Sequence, residues 1–160
     1  METDLTSIII GLASLATFFV PIGYYQHHEK KNKKESKKHF LKKADEIGFQ
    51  AGEIEVLRNH AAIGIGKNSE QLLYVLGSNY KIVELTEVTD STIYKKYADS
   101  NGERVRQIGI RLKLQKGKII NLVVFEGLEG TIIGDEHLIV QRWISKIQAA
   151  HKKLSTAVIV

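Results

Sequence analysis

Residues 5–25 read LTSIIIGLASLATFFVPIGYY and carry no charge. As a helix, a segment of this length spans about 31 Å at about 1.5 Å per residue, the thickness of a bilayer's hydrocarbon core. A helix buried in a soluble core would be shorter or would keep a polar face. Tyr24 and Tyr25 stand at one end, where an aromatic belt is expected. Pro21 lies near that end and predicts a kink in the last turn. A cleavable signal peptide is the rival reading. It needs positive charge before the apolar run and a small-residue cleavage site after it. Here the preceding flank holds Glu2 and Asp4, and the following flank is His27-His28-Glu29-Lys30-Lys31. The stretch therefore predicts a transmembrane helix over 5–25.

Working outward, the charge is uneven. The net charge of +5 rests on residues 27–43, where eight lysines face two glutamates; residues 44–160 hold fifteen basic and fourteen acidic side chains. The basicity is a local collar, so it gives no signal for specific nucleic acid. Lysines within about 20 residues of a membrane exit set orientation. The sequence thus predicts a single-pass protein of a bacterial inner membrane, with a periplasmic N-terminus and a cytoplasmic C-terminal domain. The absence of cysteine excludes disulfides and thiolate metal sites and agrees with a reducing compartment.

A lysine-rich juxtamembrane helix is expected over 26–47. Glu29 to Lys33 and Glu35 to His39 are favourable i,i+4 spacings, Phe40, Leu41, Ala44 and Ile47 form an apolar stripe, and Gly48 is the stop. Lys30, Lys31, Lys33, Lys34, Lys37 and Lys38 are the candidate membrane-surface contacts. Attraction to anionic lipid head groups is worth about 1 kcal/mol per lysine near the surface. Ser7, Gly11 and Ser14 share one face of the membrane helix, and small residues at that spacing permit close approach of a second copy, giving a candidate homo-oligomer.

The soluble domain is expected over 53–154. Strand periodicity appears at 61–66, 71–76, 81–85, 87–97, 104–115 and 119–125. Asp99-Ser100-Asn101-Gly102 is the strongest hairpin signal. In 104–115, Ile108, Ile110, Leu112 and Leu114 point one way against Gln107, Arg111, Lys113 and Gln115. After a Gly-rich loop over 126–134, Asp135 caps a last helix. Its apolar stripe is Ile139 or Val140, Trp143, Ile144, Ile147 and Leu154. Antiparallel strands closed by an amphipathic C-terminal helix carrying a Trp resemble the pleckstrin-homology-like domains of small bacterial membrane proteins. That resemblance implies an α+β fold with Trp143 in the core and a seventh strand, from 57–66 or 130–133.

Chemistry-bearing motifs are few. Gly64-Ile65-Gly66-Lys67-Asn68-Ser69 lacks the Gly and Ser/Thr a phosphate loop needs where Ala61 and Asn68 stand, and it falls in a hairpin. Gly127, Gly130 and Gly134 do not match a dinucleotide fingerprint. Asp135-Glu136-His137 offers three ligand types, but acids at a helix start need no metal to explain them. The expectation is a protein without enzymatic activity, cofactor or metal. Arg104, Arg106, Arg111 and Lys113 crowd one hairpin and form a candidate partner surface.

The anchor at 5–25, the lysine collar and a small domain without catalytic motifs also resemble the superinfection-exclusion proteins of temperate phages of enteric bacteria. That resemblance implies a protein in the host inner membrane that blocks delivery of related phage genomes. Its partner would be a phage ejection protein or a host membrane protein. The alternative is a membrane-tethered adaptor or lipid-binding module of a bacterial envelope system.

Overall fold

The computed structural model describes residues 5–101, 104–127 and 134–157, with side chains described over 9–101, 104–127 and 134–156. The chain divides into two compact units, Met1–Glu35 and Ser36–Val160. Helix α1 covers Leu5–Glu46 and includes Pro21, which therefore lies well inside the helix and not in its last turn. The helix ends in a Schellman motif: Phe49 N donates to Ala44 O (2.7 Å) and Gly48 N to Asp45 O (3.1 Å). Gly48 supplies the positive φ of 70° that this closure requires.

The rest of the second unit is α+β, with two antiparallel sheets and a C-terminal helix. β1 (Ala51–Val56), β2 (Ala62–Gly66), β3 (Gln71–Leu76) and β4 (Asn79–Glu84) form one sheet in that order. β5 (Val88–Tyr97), β6 (Val105–Leu114) and β7 (Ile119–Glu126) form the other, and α2 is Asp135–Ala157. The seventh strand differs from expectation. It is β1, upstream of both candidates; residues 57–61 form a tight turn in which Leu57 N donates to Ala61 O (2.7 Å). Gly130 to Ile133, the other candidate, and Gly102 of the hairpin turn lie outside the described residues. The sequence conceals β1 because its Ile54 and Val56 face the domain's second apolar cluster, while Glu53 and Glu55 reach the basic side of α2.

The main core lies between the sheets. Ile108, Ile110, Leu112 and Leu114 of β6 are buried while Arg111 and Lys113 are exposed, so the period of two decides the inward face. From α2, Val140, Trp143, Ile147 and Ala150 enter this core. The Trp143 side chain is fully buried, and its indole N–H donates to Glu55 Oε2 at 2.7 Å. Gly109 stands where the register of β6 against β7 shifts, and an added Cβ there would stand 2.1 Å from Leu122 O; only glycine fits.

A second apolar layer covers the outer face of the first sheet. Phe40 and Ala44 of α1 pack with Phe49, Ala62, Leu73 and Val75. Gly64 makes room for them: a Cβ there would meet Phe40 Cζ at 2.7 Å. The compact unit thus starts at Ser36, and the end of α1 belongs to it.

Trp143→Ala should lower the stability of the second unit by about 3–5 kcal/mol, since it removes a fully buried ring and its hydrogen bond. Urea unfolding followed by circular dichroism checks this; a loss under about 1 kcal/mol would place the ring outside the core.

Candidate functional site

The most unusual surface is on α1. Every described residue from Ile9 to His28 is exposed, among them Phe18 at 73% and Val20 at 67%. An 18-residue window here has a mean hydropathy of 1.4 with none of it buried; this is one helix long and apolar enough to cross a membrane. In water, such a continuous apolar surface costs about 25 cal/mol per Å². The polar groups within it are satisfied locally: Ser14 Oγ donates to Ile10 O (2.9 Å) and Thr17 Oγ1 to Ala13 O (2.8 Å). Among the described residues, nothing lies within 4 Å of a Cβ built on Gly11. The Ser7 side chain lies outside the described residues.

The six candidate contact lysines, Lys30, Lys31, Lys33, Lys34, Lys37 and Lys38, are all exposed. The helical period puts Lys30, Lys34, Lys37 and Lys38 on one side of the helix. Lys33 is held by Glu29 at 2.7 Å. Further along, Lys43 pairs with Glu46 at 2.7 Å and lies 4.7 Å from the centre of the Tyr80 ring. Its hydrogen bond to Glu46 raises the Lys43 pKa, and the same bond lowers that of the Glu46 carboxyl.

The basic hairpin is not one free patch. Arg104 precedes β6 and pairs with Asp99 (3.5 Å), and Arg106 faces Glu126 (3.8 Å). Arg111 Nε donates to Asn121 Oδ1 (3.3 Å), and its guanidinium lies 5.1 Å from the Tyr94 ring centre. Lys113 is exposed on the same outer face. Arg111 and Lys113 are neighbours; Arg104 and Arg106 sit at the opposite end of the strand with their own acids.

Sequence reasoning missed the contacts of the 57–61 turn. Arg58 Nη1 donates to Glu136 Oε1 at 2.8 Å, and Asp135 lies 3.5 Å from Arg58 Nη2. Glu136 is fully buried, so this arginine neutralises a carboxylate that water cannot reach. Arg58 thus occupies both acids of the Asp135-Glu136-His137 run. Among the described residues, no three His, Asp or Glu side chains are grouped to hold a metal ion. Three donors also cap the free edge of β7: Tyr74 Oη (2.7 Å) and Asn59 Nδ2 (2.9 Å) donate to Val123 O, and Lys81 Nζ to Asn121 O (2.8 Å). No spacing in the sequence announces these long-range pairs. No protein-family model matches this chain, and no curated protein matches it either.

Burial pushes the Tyr74 hydroxyl above its ordinary 10.0, with Asn59 pulling the other way. Folding favours the neutral phenol, so its contribution is fully present below pH 10.0 and is lost as pH rises through the folded value. Denaturant melts should show stability falling from that pH upward, and Tyr74→Phe should flatten the fall. An unchanged alkaline slope in the variant would contradict the assignment.

Proposed function

We propose that this chain is a non-catalytic, single-pass membrane protein whose tethered domain acts by binding a partner at the cytoplasmic face of a bacterial inner membrane. The observation that carries this is the fully uncovered apolar helix followed at once by exposed lysines. A bilayer satisfies both parts: hydrocarbon takes the apolar span, and the lysines meet anionic head groups on the side that resists translocation. The domain then has a pleckstrin-homology-like character, supported by its four-plus-three strand order and its C-terminal helix. Domains of this form work by binding, which fits a tether that concentrates the domain at the membrane.

Within that class, the proposed task is superinfection exclusion: the tethered domain contacts a phage ejection protein, or the host membrane protein it uses, and blocks the incoming genome. Arg111 and Lys113 are the proposed contact residues on the outer sheet face.

Two measurements test these levels separately. Reporters fused after Val160 should be active only in the cytoplasm, and replacing the collar lysines by glutamate should scramble orientation; a periplasmic signal from the unaltered chain would overturn the topology. Cells expressing the chain should adsorb a related phage normally yet show no early phage transcription. Removing 5–25 should abolish most of that protection. Full infection by every related phage tested would refute exclusion while leaving the anchor intact.

A further inference from the structure

The second unit contains a cleft of about 320 Å³ between the start of β1, the β2–β3 turn and the C-terminal half of α2. That volume is at the lower end of the range of about 300–1,000 Å³ typical of small-ligand sites. Part of its lining is residues without bulk: Gly52 and Gly66 from the strands, and Ala149 and Ala150 from the helix. Gly52 sits where the register of β1 against β2 shifts, and a Cβ there would lie 3.1 Å from Ile65 O and 3.2 Å from Lys67 N. Small residues on both walls keep the space open.

Three lysines, Lys67, Lys146 and Lys153, line this space together with Ser69, and Glu53 is the one acid among them. Glu53 is already engaged by Lys146. Lys146 also lies 4.8 Å from the centre of the Trp143 ring, which fixes its position. Lys67 and Lys153 are exposed and have no carboxylate partner among the described residues. Two of the residues lining the cleft are therefore lysines without a carboxylate partner among the described residues, and Ser69 lines it beside them. Lysines late in a helix also offset its dipole, but that role needs neither a cleft nor Lys67, which follows β2 in a different element.

We propose that this cleft binds a phosphate group, with Lys67 and Lys153 as its charged donors, Ser69 as a hydroxyl donor and Lys146 held in reserve by Glu53. Gly66, Lys67 and Ser69 belong to the stretch that fails as a nucleotide phosphate loop. No helix follows them, and the Ser69 N–H is spent on Gly66 O at 2.9 Å, so the side chains must supply the charge. The phosphate can come from a free phosphate or from a lipid head group.

The test uses the full chain in nanodiscs. Trp143 is the only tryptophan, and its ring centre lies 4.8 Å from the ammonium of the cleft-lining Lys146, so its fluorescence reads the cleft through that lysine. In discs of phosphatidylcholine, inorganic phosphate is titrated; in a second arm, phosphatidylglycerol replaces part of the lipid. The inference expects a saturable Trp143 response in at least one arm. Lys67→Gln and Lys153→Gln should each weaken it about tenfold, as loss of one charge-assisted hydrogen bond implies. Lys152→Gln, an equal charge change outside the cleft, should not. A response to free phosphate identifies a soluble ligand, and a response confined to phosphatidylglycerol discs identifies a head group. No response in either arm, or equal weakening by Lys152→Gln and Lys153→Gln, overturns the proposal. The chain stays in the discs in every case, so such a failure leaves the anchoring reading untouched.

Discussion

The second unit depends on the seating of Trp143. Two sheets of four and three strands leave a gap that their own side chains do not close, and α2 fills it with Val140, Trp143, Ile147 and Ala150. A buried indole needs a partner for its N–H, and Glu55 of β1 supplies it at 2.7 Å. That carboxylate also takes Arg142, and Glu53, two residues earlier, takes Lys146. Alternate residues of one strand thus meet residues one helical turn apart on α2. The ion pairs are partly exposed and contribute little by themselves. Their value is registry: they set where along β1 the helix lies, and with it where the ring enters the core.

A second constraint is steric. Gly109 admits Leu122 O at a distance no Cβ tolerates, and Gly64 admits the Phe40 ring against the outer sheet face. The first lets β6 and β7 pack closely at the irregularity in the middle of β6. The second gives the sheet a cover from α1, so that its central strands β2 and β3 are buried on both faces while β4 keeps its exposure. Residues 36–46 thereby belong to the domain by packing, even though they continue the helix that begins in the apolar span. Cutting the chain near Ala44 would remove Phe40 and open this layer.

Much of the fold was legible in the sequence because it rests on periodicity. The alternation around Ile108 to Leu114 and the stripe through Trp143 and Ile147 both reflect one-sided burial, which a period of two or 3.6 encodes directly. β1 was not legible. Its Ile54 and Val56 face a helix-covered surface, and its Glu53 and Glu55, which look like solvent-facing charges, engage α2 some ninety residues away. The candidate site divides the same way. The apolar span and the lysines are local signals that can be read without a fold. The Arg58–Glu136 pair, the capped edge of β7 and the meeting of Lys67 with Lys153 exist only once distant segments come together. Conversely, the density of Arg104, Arg106, Arg111 and Lys113 along the chain overstated their unity, because Asp99 and Glu126 claim two of them.

The central claim is that the uncovered helix lies in a bilayer. Its most direct test is extraction of bacterial membranes carrying the full chain with alkaline carbonate, which strips peripheral proteins but leaves helices spanning the hydrocarbon core. The chain should remain entirely in the membrane pellet, and a variant with two lysines placed at Leu12 and Phe19 should move to the supernatant, because charges at that depth are costly to bury. Release of the unaltered chain into the carbonate supernatant would contradict the account.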